Sequence, residues 1–209
     1  MAERDYVIFQ DLCKKFAVDK IVRRVHEVDA VFQMRARDPS GEVTHRENQY
    51  TMDDPFGAIG DVGSGHGPGA YLDWRFGNYY DVFERPKTLG ATNGPPYLRF
   101  IANVDKAAPI GHRRLEIRRE EEGVLQSKYG YSWEDISTQE MRDRWIAGGR
   151  IRILDLKAGE LIAERTGFYF ARRLNGALTK HPWGGAGESC PQKHSTSEFV
   201  KSVLIPKNL

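Results

Sequence analysis

Residues 137–170, STQEMRDRWIAGGRIRILDLKAGELIAERTGFYF, carry the clearest structural pattern in this chain. Ser137 followed by Glu140 three residues later forms a capping box, which predicts a helix that begins near Thr138. Glycines 148–149 would end this helix, since glycine readily adopts the backbone conformation that follows a helix. The apolar side chains expected on its inner face are Met141, Trp145 and Ile146.

A β-hairpin is predicted directly after this helix. Residues 157–159, Lys-Ala-Gly, match a three-residue hairpin loop with glycine in the left-handed position. Such a loop pairs Leu156 with Glu160 and, further along the strands, Arg152 with Glu164. The opposite-charge pair results from the register without being assumed, which supports the register. The residues expected on the buried face are Ile151, Ile153, Leu161 and Ala163.

The rest of the chain adds shorter elements of both kinds. Residues 5–16 have helix-like apolar spacing, and residues 20–37 are rich in β-branched and aromatic types. Further strands are predicted at 79–84, 96–102, 112–118 and 198–205. In the third of these, Leu115 and Ile117 are expected to point inward. Residues 44–70 lack periodicity and are rich in glycine, which predicts a long loop.

These elements predict one α+β domain over residues 1–209. We expect a mainly antiparallel sheet of six to eight strands, two or three helices and long glycine-rich loops. The chain length of 209 residues fits a single domain.

Composition excludes some classes of function. The net charge of +2 is too small to indicate a nucleic-acid-binding protein, and the arginine runs are interleaved with glutamates. No apolar run is long enough to predict a transmembrane segment. The amino end lacks the apolar stretch of a signal peptide. This leaves either a cytoplasmic protein or an exported one whose signal is absent from this sequence.

The two cysteines, Cys13 and Cys190, lie near opposite ends of the chain. One interpretation is a disulfide that closes nearly the whole chain into a loop, worth up to about 5 kcal/mol in the chain-entropy model. The other is two unrelated buried thiols, the usual state in a reducing cytosol.

No motif for catalysis, cofactor binding or metal binding is complete. The glycine-rich segment lacks the lysine of a phosphate-binding loop and the strand–GxGxxG–helix order of a dinucleotide site. His181, Cys190 and His194 lie close in sequence, but their spacing matches no zinc site. Adjacent acids such as Glu134-Asp135 are expected on a solvated face. We therefore predict no catalytic residue, no cofactor and no metal.

An aromatic cluster follows the glycine-rich segment. Aromatic side chains beside a loop are typical of protein interface hot spots, although packing in the core would explain them equally well. The interface candidates are Tyr71, Trp74, Phe76, Tyr79 and Tyr80.

Residues 136–149 with the following hairpin, 164–168, 182–183 and 189–191 together resemble uncharacterised bacterial cell-envelope proteins. The resemblance implies an exported protein and a bridge through Cys190, but it implies no activity and no active-site residue.

The sequence predicts a non-catalytic envelope-side protein that binds or inhibits a protein partner, such as an immunity-type protein. Its expected location is the periplasm or cell envelope, with the cytoplasm as the alternative. One alternative function is a hydrolase with dispersed catalytic residues, in which His66 or His181 would meet an acid and a nucleophile. Another is a structural envelope component. The sequence indicates no oligomeric state.

Overall fold

The computed structural model describes residues 2–35, 68–73, 78–87, 94–104, 115–171, 187–191 and 196–207. The helices are α1 (Ala2–Phe16), α2 (Pro68–Leu72), α3 (Gln139–Asp143) and α4 (Thr196–Val203). The strands are β1 (Val18–Ile21), β2 (Val25–Val28), β3 (Ala30–Gln33), β4 (Val82–Pro86), β5 (Tyr97–Val104), β6 (Leu115–Glu122), β7 (Tyr129–Asp135), β8 (Ile146–Asp155), β9 (Glu160–Ala171), β10 (Gly187–Cys190) and β11 (Leu204–Pro206).

One sheet dominates these elements. Its strand order is β1-β9-β8-β7-β3-β4-β5-β6, and β10 also pairs with β9, which gives nine strands. Strand β3 runs parallel to both of its neighbours, β4 and β7, and the other pairs in this sheet are antiparallel. A second, two-stranded sheet pairs β2 with β11 in parallel.

The predicted α+β class is confirmed at the level of a mixed protein dominated by sheet. The predicted numbers of strands and helices are not confirmed, because the main sheet has nine strands and the described residues contain four helices. Most of the predicted glycine-rich loop, residues 44–67, lies outside the described residues.

The hairpin of β8 and β9 has the predicted Arg152–Glu164 pair, with Arg152 Nε 2.9 Å from a Glu164 carboxylate oxygen. The pairs next to the turn differ from the prediction. Asp155 pairs with Glu160, so the loop has one more residue than predicted, and the register shifts beyond Leu154. This irregularity restores the predicted register further from the turn.

The Asp155 side chain and the backbone conformation of Gly159 explain the longer loop. The Asp155 carboxylate accepts hydrogen bonds from the backbone N–H groups of Lys157 and Ala158, both at 3.1 Å, which closes the turn at Asp155. Gly159 has φ 69°, the predicted left-handed conformation. Because of the irregularity, Ile162 is completely buried, whereas Leu161, predicted to be in the core, is only half-buried.

The predicted carboxyl-terminal end of helix α3 is wrong, whereas its start is close to the prediction. The helix begins near Thr138 as predicted, but its cap is Thr138 and not Ser137 of the predicted capping box, since Thr138 Oγ1 accepts a hydrogen bond from the backbone N–H of Met141 at 3.2 Å. It ends before Trp145, which has a φ of 62° and reverses the chain. Residues 146–149 then belong to β8, where the Gly148 N–H donates to Ser137 Oγ at 2.9 Å. Ser137 therefore joins the helix entry to the sheet.

The carboxyl end also differs from the prediction. Residues 196–203 form α4 and only 204–206 are a strand, although 198–205 was predicted to be a strand throughout. Phe199, Val200 and Val203 lie on one face of this helix and are fully buried, so helical periodicity prevails over β-branched composition. In the edge strand β6, Ile117 is 39% exposed and not inward as predicted.

The two faces of the main sheet carry separate apolar clusters. On one face, α2 and α4 pack over the centre of the sheet, around residues such as Phe83 and Ile153. On the other face, α1 packs over the ends of β8 and β9 through Phe9, Phe168 and Phe170. The Cys13–Cys190 disulfide links α1 to β10 beside this second cluster. The bridge interpretation of the cysteines is therefore confirmed.

Candidate functional site

The described members of the predicted aromatic interface are core residues. Tyr71, Tyr79 and Tyr80 are 1%, 8% and 0% exposed. The Tyr71 ring stacks on Phe83 at 5.0 Å, and the Tyr80 hydroxyl donates to the Leu204 carbonyl at 2.5 Å. Their burial removes them as surface contacts and corrects that prediction, in favour of the core-packing alternative. Trp74 and Phe76 lie outside the described residues.

The cysteine and histidine candidates are only partly described. Cys13 and Cys190 are both in the disulfide, so neither sulfur is a free thiol or a thiolate ligand. His181 and His194 lie outside the described residues, as does His66. In the part of the chain that the structure describes, no three His, Cys, Asp or Glu side chains lie close enough together to hold a metal ion.

Glu84 is a fully buried carboxylate whose acceptor positions are occupied. It accepts hydrogen bonds from Ser127 Oγ at 2.6 Å, from the Ser127 N–H at 2.8 Å and from Arg99 Nε at 2.9 Å. The Gln126 N–H adds contacts of 3.1 Å to both oxygens. Burial acts to raise the pKa of Glu84, but these hydrogen bonds outweigh it and lower the pKa. Glu84 therefore anchors the β6–β7 loop to β4 and is ionised at neutral pH.

A second buried ion pair joins the sheet edge to the helical face. Arg165 is almost fully buried and forms a bidentate pair with Asp19, with distances of 2.7 and 2.6 Å. The Arg165 guanidinium also lies 4.2 Å from the centre of the Phe199 ring. This arrangement fixes β1 against β9 and α4, which is a structural role.

Lys201, on α4, is the described lysine with the most altered titration. Burial lowers its pKa to about 8, although the negative charges of Asp73 and Glu198 act in the opposite direction. Asp73 is 3% exposed and follows α2 directly. Lys201 therefore loses its proton at a lower pH than an ordinary lysine.

An exposed basic and apolar surface lies at the β1 end of the sheet. Phe16, Val18 and Val22 are 56%, 49% and 60% exposed. The basic residues between and beside them are exposed and make no ion pair among the described residues: Lys14, Lys15, Lys20 and Arg24. We call residues 14–24 the edge surface, because β1 is the terminal strand of the sheet.

The edge surface has a recognisable pattern in the sequence, although it was not among the sequence-based predictions. The exposed apolar residues of the edge surface alternate with lysine and arginine, a pattern that is visible without a structure. Glu84 gave no signal, because its hydrogen-bond donors come from residues 99, 126 and 127, which are distant along the chain.

Comparison of the chain with protein-family models, curated protein sequences and solved structures gave no match. The fold and the disulfide thus define the class, a mixed α/β protein closed by one long-range bridge. None of the described helices has the length and apolar character needed to cross a membrane.

Proposed function

We propose that this chain is a non-catalytic binding or inhibitory protein of the cell-envelope side, which recognises a protein partner through the edge surface. The observation that carries the proposal is the set of exposed apolar side chains on and beside the terminal strand β1, interleaved with basic side chains that make no ion pair among the described residues. The disulfide supports an oxidising compartment, where such bridges persist. The sequence resemblance to envelope proteins supports the same location.

The backbone of β1 favours an extended partner segment. β1 pairs with β9 on one side, and within the described ranges no strand pairs with its other side. A peptide that adds a strand to such an edge gains main-chain hydrogen bonds, and its side chains provide specificity. The cations of the edge surface, which have no acidic partner within the described ranges, favour acidic side chains in the partner, and the exposed Phe16 and Val22 favour apolar ones.

The hydrogen bonds and ion pairs of the buried charged side chains favour a binding protein over a hydrolase. The carboxylate of Glu84 and the guanidinium of Arg165 are both engaged in complete sets of short contacts. Groups held in this way stabilise the fold and are not available as general acids or bases. The cations of the edge surface, in contrast, are exposed and have no ion-pair partner among the residues that the structure describes.

A pull-down from the source cells tests the proposal with matched variants. The edge variant combines Phe16→Ser, Val22→Ser and Lys20→Glu. The control combines Val124→Ser and Lys128→Glu, which change an exposed valine and an exposed lysine in the loop between β6 and β7.

The expected result is one stoichiometric protein retained by the wild type and by the control, but lost from the edge variant. Failure of the wild type to retain any stoichiometric protein would refute the function. Equal retention by the edge variant would show that the partner binds elsewhere.

A further inference from the structure

Two arginines on the α2–α4 face of the sheet, Arg85 and Arg119, have no acidic partner among the described residues. Arg85 lies on β4, with its guanidinium carbon 5.4 Å from the centre of the Phe100 ring. Arg119 lies on β6 directly opposite Phe100, and directly paired residues point to the same face of a sheet. The two side chains therefore emerge on the same face, beside one aromatic ring. We call them the arginine pair.

The acids near the arginine pair are engaged with other cations. Glu121 contacts Lys87 Nζ at 2.7 Å, and Glu120 contacts Arg118 Nε at 2.9 Å. Glu122 contacts Arg99 at 3.0 Å. Every residue of the Glu120–Glu122 run thus neutralises a cation other than the arginine pair. The positive charges of Arg85 and Arg119 are therefore not neutralised by the described acidic residues beside them, because those acids pair with other cations.

The cost of this arrangement points to a ligand. The Arg85 Nε–H is buried and has no hydrogen-bond acceptor in the part of the chain that the structure describes. Burial, together with repulsion from Arg119, lowers the pKa of Arg85. A buried unpaired donor destabilises a protein, so native structures that contain one require an explanation. An anion between the two guanidinium groups would supply the missing acceptor and the missing charge.

The position in the sheet is suited to a small ligand. Arg85 lies near the carboxyl end of β4, which is parallel to β3, and the carboxyl ends of parallel strands are frequent ligand sites. On β7, the strand beyond β3, the Tyr131 hydroxyl donates a hydrogen bond to Gln33 Oε1 at 3.3 Å, and Tyr131, when ionised, acts to raise the pKa of Arg85. Polar groups from neighbouring parallel strands thus lie beside the arginine pair.

We infer that the arginine pair binds the phosphate group of a small ligand. Each guanidinium can present two N–H donors in a fork that matches the oxygens of phosphate. A phosphate dianion also balances two arginines in charge, which a single carboxylate does not. This site lies apart from the edge surface and does not depend on the proposed protein partner.

Isothermal titration calorimetry with inorganic phosphate at low ionic strength tests the inference. Glycerol 3-phosphate tests a phosphate monoester, and succinate at equal ionic strength tests carboxylates. The variants are Arg85→Gln and Arg119→Gln. The matched control is Arg118→Gln, which removes the same charge from the same strand but on the opposite face, where Arg118 is paired with Glu120.

We expect saturable binding of phosphate or its monoester to the wild type and to Arg118→Gln. Each variant of the arginine pair should bind at least about 10-fold more weakly, since hydrogen bonds to charged groups are the strong ones. Tighter binding of inorganic phosphate would indicate the free ion as the ligand, and tighter binding of glycerol 3-phosphate would indicate a phosphorylated metabolite. Absence of saturable binding to the wild type, stronger binding of succinate, or an equal loss in Arg118→Gln would overturn the inference.

Thermal unfolding separates binding from folding. Arg85 has no acidic partner among the described residues, and its Nε–H is buried there without an acceptor. Removal of this charge should therefore at least offset the lost contact with the Phe100 ring, so Arg85→Gln should unfold without phosphate at a temperature no lower than the wild type. Added phosphate should raise the unfolding temperature of the wild type and leave that of Arg85→Gln unchanged. A large loss of stability in Arg85→Gln without ligand would instead indicate a structural role and contradict the inference.

Discussion

Replacement of Glu84 by glutamine is the strongest single test of the fold. Glutamine has nearly the same shape, but one carboxylate oxygen becomes an NH2 donor. Both oxygens of Glu84 face donors, since one accepts from Arg99 and the other from both groups of Ser127. In either orientation the new NH2 group meets an N–H or O–H instead of an acceptor, and Arg99 loses its buried counter-charge.

The expected cost of Glu84→Gln is about 3–5 kcal/mol in the free energy of unfolding, the range for removal of one partner of a buried ion pair. The control is Glu122→Gln. Glu122 contacts the same arginine at 3.0 Å, but its side chain is 33% exposed. Its loss should cost less than about 1 kcal/mol, because exposed ion pairs are weak. Arg99 would retain both Glu84 and the Val124 carbonyl.

Urea denaturation, followed by the fluorescence of the buried Trp133 and by circular dichroism, measures both variants. The pH dependence adds a second readout. The folded pKa of Glu84 lies below its usual 4.5, so its stabilising effect is present at neutral pH and is lost as the pH falls through the folded pKa. The difference between wild type and Glu84→Gln should therefore shrink in acid. Equal costs for the two variants at neutral pH would refute the reasoning.

Three further predictions concern other parts of the fold. A double change of Cys13 and Cys190 to serine should lower the free energy of unfolding in urea by about 5 kcal/mol, from the sequence separation of 177, and a loss under about 1 kcal/mol would contradict this. The thermal stability of the wild type should rise between about pH 8 and 10.5, because the unfolded chain binds the Lys201 proton more tightly than the folded chain in that range, and Lys201→Met should abolish this rise. A wild type whose stability falls over that range would contradict the prediction. Gly148→Ala places a Cβ 2.9 Å from a neighbouring side chain and should cost about 1–3 kcal/mol in urea, whereas Gly123→Ala meets nothing within 4 Å and should cost far less; equal losses would contradict it.

Local chemistry made the hairpin predictable from sequence. Gly159 identified the turn, and the alternation of Ile151, Arg152 and Ile153 fixed the faces of the strand. The exact loop length was not predictable from glycine alone, because it depends on Asp155 accepting from the next backbone N–H groups. The Arg152–Glu164 pair was still predicted correctly, since the irregularity compensates for the longer turn.

Tertiary contacts decided the elements that were predicted wrongly. Gly148 lies in β8, where it pairs with Phe168, and not at a helix end. The side chains of Ile136, Met141 and Phe168 pack closely around it, which explains why this strand position is a glycine. Strand β7 was not predicted, although Tyr129, Tyr131 and Trp133 alternate with period two, a recognisable strand pattern. Arg119 was interpreted as part of arginine runs interleaved with glutamates, and Arg85 was not singled out. Only the ion pairs of the neighbouring glutamates show that both arginines are left without an acidic partner among the described residues.

The edge surface and the arginine pair lie towards opposite ends of the main sheet, beside β1 and between β4 and β6. Changes at well-separated sites are usually additive. Phosphate bound at the arginine pair should therefore leave retention of the protein partner at the edge surface unchanged. If phosphate instead altered that retention, the two sites would not be independent. The partner would then have to reach both ends of the sheet, or the sheet would have to couple the two surfaces energetically. Comparing Arg119→Gln with the wild type in the same pull-down, with and without phosphate, distinguishes independent sites from coupled ones.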